Sequence, residues 1–141
     1  MRSRLSTVNY QLLYMLGTFQ QSHIRIEVAA SQKTIRESLL HSDKLSKWLW
    51  HIKLSPGLPE QLHAGLTFTT SIGFIGIQHQ VEILQDNCLR ILLSQGIDGY
   101  HEWYWGENWL QSRLEGISLL PLNLAQTLSL LQLRQFLGNG E

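Results

Sequence analysis

Six histidines, His23, His41, His51, His63, His79 and His101, are the side chains in this sequence best suited to moving a proton near neutral pH. They form no H-x-H or H-x-x-x-H pair, so the spacing that puts two imidazoles on one metal ion is missing, and no metal or cofactor is expected. His79 is in register with Ile75, Ile77, Val81 and Ile83, which points it inward. A buried imidazole needs a partner for its N–H: a ligand carbonyl or hydroxyl, or a neighbouring side chain or water. His101 shares one face with Trp103 and Trp105, while Tyr100, Glu102 and Tyr104 share the other; the pattern alone leaves open which face looks inward. Either histidine could shuttle a proton in a cyclisation, a reaction that needs mainly shape and one acid/base group. No residue is assigned a catalytic role on this ground. Cys88 lies on the face of Arg90 and carries no mark of an activated thiol. Gly73-Phe-Ile-Gly76 lacks the Lys and Ser/Thr of a phosphate loop, and Arg113 with Glu115 reads as a solvated pair.

The elements that must position these residues follow from periodicity. Ile24, Ile26 and Val28 alternate with His23, Arg25 and Glu27, the signature of a half-buried strand. Ser31 stands as an N-cap before Ile35, Leu39 and Leu40, and Ser42-Asp43 before Leu45, Trp48 and Leu49, so two short helices follow. Pro56-Gly-Leu-Pro59 punctuates the chain. Leu66, Phe68, Thr70 and Ile72 then share one strand face, Gly73 to Gly76 makes a turn or bend, and a second strand carries His79. Asp86-Asn87 turns into Leu89, Ile91 and Leu93, and Gly96 to Gly99 reads as another turn before the aromatic strand Tyr100–Trp105. Gly106 to Asn108 precedes a last strand over 109–118. Pro121 then opens a long helix over 122–137 that Gly138-Asn-Gly140 ends. That helix is apolar at Leu124, Leu128 and Leu131 and again, nearly opposite, at Leu130, Leu133 and Leu137, so both sides call for cover. The expected fold class is α+β: a curved antiparallel sheet around one long C-terminal helix, with two short helices after the first strand. Residues 20–138 form the single domain, and residues 1–19 a loosely ordered extension.

With Lys+Arg 11 against Asp+Glu 11 the formal net charge is zero, which lacks the basic footprint of a nucleic-acid binder. Only 16% of residues are charged against 43% hydrophobic, a surface that resists self-association poorly and leaves a homodimer open. One cysteine forms no internal disulfide, which fits a reducing, cytoplasmic setting. No apolar run reaches the roughly 20 residues of a membrane span, so no stable membrane insertion is expected. Met1-Arg-Ser-Arg4 and the apolar stretch to Phe19 have the outline of a leader, but Gln11, Tyr14 and Gly17 interrupt it and no small-residue cleavage site follows. A start at Met15, with residues 1–14 a loose addition, is the alternative.

The order of elements and their landmarks resemble the START/Bet v 1-like superfamily, also called SRPBCC, and its polyketide cyclase/dehydrase and lipid-transport branch. The landmarks are Ile24-Arg-Ile-Glu-Val-Ala-Ala30, Ser42-Asp-Lys-Leu-Ser-Lys-Trp48, Glu102-Trp-Tyr-Trp105 and Leu130-Leu-Gln-Leu-Arg-Gln-Phe136. The resemblance covers about residues 20–138. It implies a helix-grip fold with a cavity between sheet and long helix that holds a lipid, isoprenoid or polyketide-like molecule, and it carries over no catalytic residue. Inward-facing positions make Trp48, Phe68, Thr70, Ile77, His79, Ile91, Leu93, Gln95, His101, Trp103, Trp105 and Leu128 the candidate ligand contacts, apolar walls with a few orienting polar groups. Trp48 and Trp50 beside the short helices could flank the cavity mouth. The expected function is binding or transport of a small hydrophobic molecule without turnover. A cyclase, aromatase or dehydratase using His79 or His101 is the alternative, and a protein-interaction module working through the C-terminal helix is the third.

Overall fold

The computed structural model describes residues 17–138. Strand β1 (Thr18–Glu27) is followed by α1 (Gln32–Leu40) and α2 (Ser42–Trp48). Then come β2 (Lys53–Leu54), β3 (Thr67–Ile72), β4 (Ile75–Leu84), β5 (Cys88–Gln95), β6 (Ile97–Gly106), β7 (Trp109–Ser118) and the long helix α3 (Leu122–Gly138). The strands form one open seven-stranded sheet in the order β1-β7-β6-β5-β4-β3-β2, every neighbouring pair antiparallel. Five strands in series joined by tight turns make the meander, and β1 returns to its open side against β7. The sheet curves about the long helix, as the pattern predicts. The start of β1 at Thr18 puts Thr18 and Phe19 in the sheet rather than in an N-terminal extension; residues 1–14 and Met15 lie outside the described residues.

Local chemistry explains the boundaries. The Ser31 hydroxyl accepts from the Thr34 N–H at 3.2 Å and caps α1. Asn108, at φ 65°, turns β6 into β7. The turn between β5 and β6 is shorter than the glycines suggest: Gln95, at φ 74°, and Gly96 make it, and Ile97 to Gly99 already belong to β6. Gly99 is there because β7 passes close by. A Cβ at that position would sit 1.9 Å from the Glu115 carbonyl oxygen.

Burial alternates as the strand patterns require, with one break. The register slips between Val81 and Ile83, a bulge that turns Ile83 outward to 37% exposure while Val81 stays at 1%. The inner face of the sheet carries Phe68, Ile77, Val81, Leu89, Ile91, Leu93, Trp103, Trp105, Leu110 and Leu114, all buried. Helix α3 lies over β1 and β7, tied there by polar groups. The Leu122 N–H donates to Gln20 Oε1 at 2.8 Å, and Gln126 Nε2 donates to Ser112 Oγ at 2.8 Å. Leu122, Leu130, Leu133 and Leu137 are buried, whereas Leu124, Leu128 and Leu131 on the other side of α3 stay exposed, so the two-sided helix is covered on one side only.

Candidate functional site

Between the inner face of β3–β6 and the α1–α2 pair lies a cavity of about 120 Å³. Helices α1 and α2 contribute Leu39, Leu45 and Trp48; the α2–β2 connection adds Leu49 and Ile52 and the β2–β3 connection Leu62; Ser129 of α3 closes one side. The sheet contributes Phe68 and Thr70 from β3, His79 from β4, Leu89 and Ile91 from β5, and His101 and Trp103 from β6. Trp48 is fixed at one wall, donating from Nε1 to the Ser38 carbonyl at 2.8 Å and standing edge-on to Trp103 at 6.4 Å.

Two imidazoles face this apolar space. His79 lies flat on Phe68, centroids 4.7 Å apart at 5° between planes, and its Nε2 is 2.8 Å from Thr70 Oγ1. Phe68 and His79 are cross-strand partners in the β3–β4 ladder, which is why the rings meet. His101 stands 4.5 Å from Trp103 on the same face of β6, its Nε2 2.6 Å from Ser112 Oγ. Burial drives both pKa values down, His79 to about 4 and His101 to about 3, with the neighbouring His79 adding a smaller push on His101. Both rings are therefore neutral at pH 7.

A chain of hydrogen bonds holds the His101 ring in place. The Ser22 hydroxyl donates to Gln126 Oε1, and the Gln126 amide donates to Ser112 Oγ and to the Ser112 carbonyl at 3.0 Å. Ser112 Oγ accepts from Gln126 and keeps a second lone pair and its own O–H, so it can pair with Nε2 of either His101 tautomer. A neutral ring oriented this way costs no reorganisation when a ligand arrives.

Of the candidate contacts, the structure brings Trp48, Phe68, Thr70, His79, Ile91, His101 and Trp103 to the cavity. Five others stand elsewhere. Ile77 and Leu93 point inward but are packed into the core beyond the cavity wall, at 4% and 5% exposure. Trp105, 1% exposed, sits one step past Trp103 on β6 and is core rather than wall. Gln95 occupies the β5–β6 turn, where its amide donates to Gln78 Oε1 at 3.2 Å. Leu128 faces outward from α3. For Ile77 and Leu93, strand parity found the face but not the distance along the strand from the cavity.

The face of the aromatic strand is settled: His101, Trp103 and Trp105 look inward. The sequence pattern missed Ser112, Gln126 and Ser129, small or polar residues whose role depends on helix α3 meeting β1 and β7. One further turn along α3, Gln132 is 7% exposed and neither polar atom of its amide has a partner among the described residues. Burial holds the Cys88 thiol above its ordinary value, which favours the protonated thiol at pH 7. Among the described residues no group of three His, Cys, Asp or Glu side chains could hold a metal ion, and no helix is long and apolar enough to cross a membrane.

No protein-family model matches the sequence, and no curated protein does. Solved structures do match. DynU16, from the dynemicin biosynthetic locus, superposes at a TM-score of 0.66 with 14% identity, over 86% of this chain and 48% of its own. The fold is a helix grip. CV1439 of Chromobacterium violaceum matches at 0.67 with 16% identity, over 84% of this chain and 97% of that one. The Aha1 dimer from Colwellia psychrerythraea matches at 0.60 with 19% identity, over 86% and 98%. The chain thus spans about half the length of DynU16 and nearly all of the other two.

Proposed function

We propose that the chain binds a small, largely apolar molecule of about one ring in the cavity beneath α1 and α2, oriented by hydrogen bonds to His79 and His101. The cavity's size and lining carry this reading: about 120 Å³ walled by leucine, isoleucine and aromatic side chains, with two neutral imidazoles as its principal polar groups. Drug-sized sites run to about 300–1,000 Å³, while an apolar cavity of about 150 Å³ takes benzene. A long-chain lipid or multi-ring polyketide therefore needs the α1–α2 cap to move; a single-ring carbonyl compound or phenol does not. The placing of DynU16 in a biosynthetic locus supports a ligand drawn from such chemistry, and the fold it shares with this chain supports the cavity as the site.

Turnover is the second reading, favoured by two neutral imidazoles, His79 and His101, facing one apolar cavity. One ring could polarise a carbonyl while the other takes a proton beside it, the division of labour that a cyclisation or dehydration needs.

Titration of delipidated protein with single-ring phenols and aromatic aldehydes, and in parallel with a long-chain fatty acid, tests the proposal through tryptophan fluorescence. Saturable quenching by the single-ring compounds, weakened in His101→Leu, is expected because Trp48 and Trp103 line the cavity. Binding of the fatty acid alone, or quenching that His101→Leu leaves unchanged, would remove it.

A further inference from the structure

The sheet has two ends, and one of them gathers the four most exposed large apolar side chains of the described residues. Thr18 and Ile97 both pair with Ser118, Gln95 pairs with Ile77, and Lys53 pairs with Ser71, two residues before the Gly73-Phe74 turn. The start of β1, the β3–β4 and β5–β6 turns, the α2–β2 connection and the first turn of α3 therefore share this end. Phe74 at the tip of the β3–β4 turn is 97% exposed and Trp50 in the α2–β2 connection 73%. Leu124 and Phe19 follow at 65% and 64%. Single exposed apolar residues are ordinary, but four large ones on separate elements at one end of a small domain mark a surface with a partner.

Charge indicates which partner. Within the segments that build this end (17–20, 47–54, 71–76, 94–98 and 117–124) the cations are Lys47 and Lys53 and the sole carboxylate is Asp98. In a chain of zero net charge, two lysines against one carboxylate leave this end net positive, with both lysines exposed. Trp50 lies between Lys47 and Lys53, the neighbourhood an indole occupies where hydrocarbon meets headgroups. Trp50 and Phe74 project from two different turns rather than forming one flat face, so a deformable phase accommodates them with no matching pocket.

We propose that this end of the molecule docks reversibly on an anionic lipid bilayer surface. Trp50 and Phe74 enter the boundary of headgroups and acyl chains, and Lys47 and Lys53 meet the phosphates. Leu49 and Ile52, on either side of Trp50 and His51, are walls of the cavity, so docking brings the cavity to the membrane surface. The inference does not depend on what fills the cavity.

Co-sedimentation of the full chain with phosphatidylcholine vesicles, with and without phosphatidylglycerol, tests it. Binding to the anionic vesicles is expected, reduced by added salt and about tenfold or more weaker in the Trp50→Ser/Phe74→Ser double variant. Both positions are exposed, so the variant should keep its circular dichroism and Tm, which are measured alongside. A Lys47→Glu/Lys53→Glu variant should lose the preference for anionic vesicles. Failure of the wild-type chain to sediment, or undiminished binding by the aromatic double variant, overturns the proposal. So does light scattering that shows a dimer which the aromatic variant dissociates while wild-type protein ignores vesicles; this end would then be a contact between copies.

Discussion

The two faces of β6 carry residues of similar size and aromatic content, yet they live under different rules. Inward, His101, Trp103 and Trp105 meet leucine and isoleucine, and burial strips His101 of its proton. Outward, Tyr100, Glu102 and Tyr104 sit in a mesh of charges. Arg90 reaches Glu102 at 2.8 Å and Glu82 at 3.0 Å and lies over the Tyr100 ring at 4.1 Å. Glu115 accepts from the Tyr100 hydroxyl and from Arg113, and its carboxyl is held below the ordinary range, the tyrosine hydrogen bond being the largest cause. Glu102 and Glu115 are nearly as buried as the tryptophans, at 9% and 8% exposure, but each is paired. Burial neutralises a group that has no counter-charge and preserves the charge of one that has. The inner face is thereby left with neutral donors and acceptors, the state a small uncharged ligand needs.

Truncation should separate the faces most sharply. Trp105→Ala is expected to lower stability by about 3–5 kcal/mol in urea denaturation, since it empties a fully buried volume. A loss below about 1 kcal/mol would show that the inner face is loosely filled there.

The next largest effect is one of pH. The folded value of His79, about 4, lies below the 6.5 of the unfolded chain, so between those limits the unfolded state binds more protons. The stability this represents is fully present above pH 6.5 and is lost as pH falls toward 4, at most roughly 3 kcal/mol. His101 adds to the same limb for the same reason, so His79→Leu should make that limb of the stability–pH curve shallower without removing it. Glu115 acts in a lower window: its contribution is present above about pH 4.5 and disappears only as pH falls further, so Glu115→Gln should leave the limb between 6.5 and 4.5 intact.

Ser112→Ala takes away the partner of His101 Nε2 and an acceptor for Gln126, at a cost of about 1–3 kcal/mol. The Nε2 shift of His101 in a nitrogen-15 spectrum should then move; an unmoved shift would show that another group holds the ring. Arg113→Ala on the outer face should change stability by less than about 1 kcal/mol, because its guanidinium is 41% exposed and Glu115 keeps Tyr100 and Gln21.

Period-2 alternation made the strands legible, and serine caps with proline and glycine marked the helices and most turns. The bulge after Val81 was not legible, because an alternating run gives no sign of an added residue; hence Ile83 reads inward and stands outward. Nor did Gly96 and Gly99 reveal that only the first makes the turn, since the second answers to the backbone of β7, a contact distant in sequence. At the site, Thr70, His79 and Phe68 were found by parity. The Ser22–Gln126–Ser112 chain was invisible because Ser22 lies 104 residues from Gln126, and the three meet only when α3 settles on β1 and β7.

The sheet stays open, and its two borders differ. Strand β2 is two residues long and pairs only with Thr70 and Ser71. Ser55 extends it by one step, its N–H donating to the Thr69 carbonyl at 2.8 Å and its hydroxyl accepting from the Thr69 N–H at 3.2 Å. Pro56 and Gly57 follow and carry the chain away from β3. A serine thus satisfies the outermost rung with its side chain, and a residue with no N–H stands where a further rung would begin. In a chain with so little charge to keep copies apart, that border is protected by its chemistry from recruiting a strand of another molecule and growing into a continuous sheet.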